Sequence, residues 1–170
     1  MARIPYPDLH SPAIAPLVER IESERGKVLN LYGMLLHSPP VAEGWLAFLT
    51  AIRQKCQLSG RDRELVILRI AVLNGADYEF RAHVPFALKE GITQAQIDAL
   101  RDGRADGFDP RERDVLAYCD SMTREIHVPD AVFQAVRPHF NERELVELTA
   151  TIAAYNLVSR FLEALQVDHE

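Results

Sequence analysis

Three features of the chain predict an all-helical fold. Apolar residues recur at spacings of three and four, as in Trp45, Phe48, Leu49 and Ile52 or Val115, Leu116, Cys119 and Met122, which is the period of one helix face. A capping residue precedes proline at Ser11-Pro12, Ser38-Pro39 and Asp109-Pro110, a pairing that supplies a side-chain acceptor and a pre-set φ at a helix start. No segment alternates polar and apolar residues in the manner of a half-buried strand.

The elements follow in chain order. Ser11-Pro12 opens a helix over residues 12–24, and Ser38-Pro39 opens one over 39–56. Ser59 with Asp62 three residues on has the form of an N-cap and its reciprocal partner, starting a helix over 60–74. Within it Leu65 to Leu73 is apolar at eight of nine positions, Arg69 being the exception, so this helix is buried nearly all round. Asn74-Gly75 marks a break, after which 76–89 reads as a second helix ending at Gly91, the residue type that takes a left-handed C-cap. The two form a helical hairpin. Pro85 lies inside the second helix and cannot donate to the carbonyl of Arg81, so a kink or a freed carbonyl is expected one turn from His83.

Thr93 with Gln96 opens a helix over 94–101, and the charged, Gly- and Pro-containing loop 101–110 connects two halves of the chain. Asp109-Pro110 with Glu112 starts 110–125; a helix over 129–138 follows, and Asn141 with Glu144 starts the last, over 142–166. That helix carries Leu148, Ile152, Ala153, Ala154, Leu157, Val158 and Phe161. The apolar load is broader than one stripe, which places the helix centrally or under another subunit.

With 170 residues and 48% hydrophobic composition, the chain is expected to form one domain over 1–170. The balance of 19 basic and 25 acidic side chains, net −6, with no dense basic run, argues against a nucleic-acid partner. The N-terminus MARIPYPDLHSP has no apolar leader core and no stretch reaches membrane-spanning length, so a cytoplasmic protein without a membrane partner is expected. Cys56 and Cys119 stand 63 positions apart, outside any metal or redox spacing, and read as packing residues.

One echo runs through the chain. Arg63-Glu64-Leu65-Val66-x-Leu68 recurs as Arg143-Glu144-Leu145-Val146-x-Leu148, an offset of 80 residues, which suggests a duplicated helical unit. In the second copy Ser159 matches Glu79 and Glu163 matches His83. The chemistry is therefore expected in the first copy.

Ionisable groups inside so apolar a segment need a reason. Glu64 shares a face of its helix with Leu68, Ala71 and Gly75, while Glu79 and His83 lie four apart on the next helix. A carboxylate that meets an imidazole can fix its tautomer and hold a proton, an acid/base device. The bland counterpart is an ordinary ion pair stabilising the hairpin. Glu79 is a second proton-transfer candidate or a bond partner for His83. Tyr78 can hold a substrate oxygen, though a Tyr at a helix start is often a packing residue. Arg81 and Arg69 can hold a substrate carboxylate through a guanidinium fork, or simply lie on solvated faces. One His with two carboxylates is a poor metal set, and His37, His127 and His139 have no spacing that nominates them as further ligands, so no metal is expected. His10 and His169 lie near the termini. No Gly-rich phosphate loop, dinucleotide fingerprint or Cys-x-x-Cys is present, which leaves no cofactor to expect.

These residues resemble the carboxymuconolactone decarboxylase and AhpD-like (alkylhydroperoxidase-D-like) superfamily over most of the chain. The family pattern is a Glu, twelve residues on a Cys-x-x-Cys pair, and four residues further a His; Glu64, Ala76, Glu79 and His83 stand at those positions here. Both cysteines are missing, and the string NGADYEFRAH is similar to a subgroup with Asn-Gly-x-x-Tyr-Glu-aromatic-x-x-His. A dithiol peroxidase needs an attacking and a resolving thiol, which Ala and Glu cannot supply.

The resemblance implies an AhpD-like helical fold with internal duplication, assembled as a trimer or hexamer. It also implies a cofactor-independent lyase or isomerase acting on a small organic acid or lactone, with His83 as proton donor, Glu64 as its orienting partner, and Glu79 and Tyr78 touching substrate. The competing expectations are a hydroperoxide-reducing protein using Cys56 or Cys119, and a non-catalytic oligomeric binding protein of the same fold.

Overall fold

The computed structural model describes residues 1–170, which form nine α-helices and one 3-10 turn without a strand. The chain separates into two compact units, one of Met1–Lys55 with Leu162–Glu170 and one of Cys56–Phe161.

In the first unit α1 (Ala15–Arg25) and α2 (Asn30–Leu35) both pack against α3 (Pro39–Gln54). Ile21, Met34, Leu35, Leu46 and Leu49 fill its interior. The Asp168 carboxylate ties the chain ends, accepting from the Ala2 amide at 3.1 Å and pairing with the terminal ammonium at 3.2 Å.

The second unit is built around α4 (Gly60–Asn74), which touches α5 (Asp77–Lys89), α6 (Gln94–Arg101) and α7 (Pro110–Arg124). This is the helix that the sequence marks as apolar nearly all round, and Leu65, Val66, Ile67, Leu68 and Ile70 are fully buried. The predicted caps supply its ends. Ser59 Oγ accepts from the Asp62 amide at 3.0 Å and donates to Asp62 Oδ2 at 2.7 Å, while Gly75 closes the helix at φ 67°. Thr93–Gln96 and Asp109–Glu112 form complete capping boxes. α8 (Asp130–Val136), the 3-10 turn Arg137–His139 and α9 (Glu142–Leu165) complete the chain. No helix is long and apolar enough to cross a membrane.

Proline accounts for most departures from the expected boundaries. A helix beginning at residue 12 would carry Pro16 in its interior, where the missing N–H and the ring are not tolerated. Residues 11–14 instead make a turn, Ile14 N–H to Ser11 carbonyl at 3.1 Å, and α1 starts at Ala15 with Pro16 in its first turn. Ser38 precedes α3 without a side-chain bond, since Pro39 and Pro40 remove the amides it would meet first. Pro138 ends α8 early and leaves a 3-10 turn. Pro85 does not end α5, which continues to Lys89. α2 was not anticipated: it has six residues and no side-chain cap.

Leu68→Ala should lower unfolding free energy by about 2–5 kcal/mol, the range for emptying a fully buried leucine site. Gly75→Ala should cost about 1 kcal/mol, because the new methyl meets open space and only the left-handed backbone resists it. Urea titrations of both variants check the contrast; equal losses would mean that Gly75 does more than turn the chain.

Candidate functional site

The α4–α5 hairpin brings Glu64 and His83 together. Glu64 comes from the second turn of α4 and His83 from the middle of α5, and both side chains are buried. His83 Nδ1 lies 2.6 Å from Glu64 Oε2, a charge-assisted distance that sets Nδ1 as the donor. The other oxygen, Oε1, accepts from Arg63 Nε at 3.0 Å. Burial alone would raise the Glu64 pKa; the bonds from His83 and Arg63 outweigh it and hold the carboxyl below the usual carboxylate value. Glu64 is therefore ionised at neutral pH. The imidazole is further fixed by aromatic rings, with Tyr155 of α9 edge-on at 5.1 Å and Phe86 tilted at 5.8 Å.

Glu79 is buried on α5 one turn before His83 and accepts from Ser159 Oγ of α9 at 2.8 Å. Tyr78 is buried beside it in sequence. Arg69, buried on α4, has its fork on Asp120 of α7, with Nε and Nη2 each 2.6 Å from a carboxylate oxygen, which leaves the buried Nη1 without a partner. Arg81 is two residues from His83 and so on the opposite side of α5. Its exposed side chain pairs with Asp77 at 2.6 Å and borders a groove shared with Phe80, Pro85, Ile97 and Arg101. The two arginines thus hold acids of the chain itself. No group of three or more His, Cys, Asp or Glu residues is placed to hold a metal ion.

Neither cysteine is placed as a thiolate. Cys119 is fully buried on α7 with its thiol 3.8 Å from the Val66 carbonyl, and burial pushes its pKa up strongly. Cys56 is half-buried, and burial followed by the nearby Glu147 raises its pKa as well.

The expectation that only the first copy of the duplicated unit takes part needs amendment. Ser159 and Tyr155, from the second copy, are the groups of α9 that meet Glu79 and His83. The offset of 80 residues already pairs Ser159 with Glu79 and Tyr155 with Gly75. Where the first copy breaks at Asn74-Gly75, the second has Ala154-Tyr155 and its helix runs on. Arg63 was also passed over as a site residue, because a charged residue next to Glu64 reads as a solvated helix start.

The family model described as the carboxymuconolactone decarboxylase family matches residues 39–121. YdfG, an uncharacterized protein of Bacillus subtilis, is 30% identical over 101 residues, which are 58% of this chain and 69% of that protein. An uncharacterized peroxidase-related protein of Ralstonia eutropha, described as an alkylhydroperoxidase AhpD core, superposes with a TM-score of 0.83 at 22% identity, covering 99% of this chain and 92% of the other. The debrominase Bmp8, in complex with 2,3,4-tribromopyrrole, superposes with a TM-score of 0.81 at 17% identity, covering all of this chain and 94% of the other. At such identities the two structural likenesses are of fold.

Glu64→Gln should destabilise the protein by about 3–5 kcal/mol at neutral pH, the usual cost of removing one member of a buried pair. Because the folded carboxyl is a stronger acid than the unfolded one, its stabilisation is complete above the ordinary carboxylate range and is lost as pH falls through the lowered folded value. Urea midpoints of wild type and variant should therefore converge in acid. A gap that persists at the lowest pH where both fold would show that the loss is not one of ionisation.

Proposed function

The chain belongs to the carboxymuconolactone decarboxylase and AhpD-like superfamily, and we propose that within it the protein is a cofactor-independent acid/base enzyme, a lyase or isomerase acting on a small organic acid or lactone. The observation that carries the reading is the buried 2.6 Å bond between Glu64 and His83. It fixes the tautomer and gives the imidazole a permanent counter-charge, so proton exchange with a substrate falls to Nε2. In a decarboxylation the carbon–carboxylate bond breaks, its electron pair forms an enolate, and the protonated imidazole delivers a proton to the carbon. Glu64 holds the imidazolium in place before that step and the neutral ring after it. Glu79 and Tyr78 are the substrate-contacting groups of this reading, both buried in the same hairpin. The arginines add less support, since Arg69 and Arg81 already pair with Asp120 and Asp77.

The hydroperoxide-reducing alternative requires a thiolate. Both thiols have raised pKa values, and Ala76 and Glu79 stand where the family has its cysteines. That favours acid/base over redox chemistry. Self-association as a trimer or hexamer belongs to the same proposal, supported by Val146 and Leu157 exposed on α9. Light scattering should return a multiple of 19.2 kDa; a monomer at micromolar concentration sinks this part.

A screen of acidic lactones should find turnover that His83→Gln and Glu64→Gln each lower about 10²-fold or more, the usual scale for a general acid/base group. The double variant should lose little beyond the worse single one, because residues acting as a unit are non-additive. Undiminished turnover in both single variants would mean that the pair is a structural bridge. Replacing Cys56 and Cys119 together by Ser should change nothing; thiol-coupled hydroperoxide turnover abolished by that change would establish the alternative instead.

A further inference from the structure

Glu64 divides its two oxygens between His83 and Arg63, and Arg63 reaches further. Its Nη2 lies 3.8 Å from Glu90 Oε1, beyond the C-terminus of α5. The Glu90 carboxylate in turn lies against Gly60 at the start of α4, so closely that a Cβ there would overlap it. The result is a row of alternating charge, Glu90, Arg63, Glu64, His83. Side-chain exposure falls along it from 37% at Glu90 and 17% at Arg63 to 1% at Glu64. The row therefore leads from solvent to the buried pair.

We propose that Arg63 and Glu90 are positioning residues that set the proton affinity of His83 through Glu64, Arg63 lowering it and Glu90 restoring part of it. The coupling is Coulombic. Glu64 stabilises the imidazolium with the same negative charge on which Arg63 draws, and an arginine is never deprotonated, so its bias is constant. Glu90 draws on the same guanidinium charge as Glu64. Being part-exposed, Glu90 acts through solvent and salt and has the weaker hand. Two further titratable groups lie near the imidazole: Glu79, one turn earlier on α5 and bonded to Ser159, and Tyr155 of α9, whose ring meets it edge-on. They stay in place in the variants below.

This inference rests on the reading of His83 as proton donor and names what tunes it. The test is the His83 ring titration followed by side-chain NMR on the intact protein, its signal assigned by loss in His83→Gln. Arg63→Gln should move the midpoint up by about half a unit or more, less than an adjacent charge does to a pKa because Glu64 stands between the two. Glu90→Gln should move it down by less, and more so at low salt. Gly60→Ala, which displaces the Glu90 carboxylate without removing a charge, should shift it in the same direction as Glu90→Gln. Arg63→Lys should hold the midpoint near wild type. Opposite signs for the arginine and glutamate variants support the proposal, since a loosened fold would not produce them. Shifts of one sign in both, or unchanged curves, overturn it; if Arg63→Gln does not fold, Glu90→Gln and Gly60→Ala decide. The titration needs no substrate, so an empty lactone screen would count against the enzyme reading alone, and unchanged midpoints against this one alone.

Discussion

Everything at the candidate site depends on the register of two antiparallel helices. Gly75, in the left-handed region, turns the chain between α4 and α5. At the far end of the hairpin Arg61 donates to the Gly91 carbonyl and Glu90 sits against Gly60. Held at both ends, the helices cannot slide, and Glu64 and His83 meet across the seam with Nδ1 2.6 Å from Oε2. A slip of one residue would rotate His83 by about 100° and leave a carboxylate buried without its counter-charge.

α4 is buried nearly all round and also carries three buried charges. Each has an answer from a different element: Asp62 from Arg111 of α7 at 2.7–2.8 Å, Glu64 from His83 of α5, and Arg69 from Asp120 of α7. Taking such groups out of water is costly, and well-packed apolar side chains in their place are often no less stable. What the pairs add is direction. Arg111 and Asp120 bind α7 to α4 in one rotation, so the face that bears Glu64 is left to α5. Breaking one of these pairs is far more damaging than replacing it whole.

Much of this is legible in the sequence. Caps at Ser59, Thr93 and Asp109 are short-range chemistry, each bonded to a partner three residues on, so spacing alone locates α4, α6 and α7. The pairing of Glu64 with His83 was readable because a helical hairpin needs only the position of its break. Arg69 was not assignable, since Asp120 reaches it across helices by packing, whereas Arg81 pairs with Asp77 four residues before it on the exposed face of α5, a local spacing that the sequence does carry. α2 carries no side-chain cap, and so had no signal to read. Ser159 was set aside and Tyr155 gave no signal for a different reason: an echo of 80 residues equates positions along the chain, whereas contact depends on how the helices face each other.

That facing has a consequence for how such a protein diversifies. One copy of the helical unit folds back at Gly75 and carries the charges, while the other runs straight through Tyr155 and presents a hydroxyl and an aromatic edge to them. Substitutions around Gly75 disturb the register that brings Glu64 to His83. Substitutions along α9 reshape what packs against His83 and Glu79 and leave that register in place. The ring and hydroxyl that α9 sets against the hairpin can therefore vary independently of the turn at Gly75 that holds Glu64 to His83.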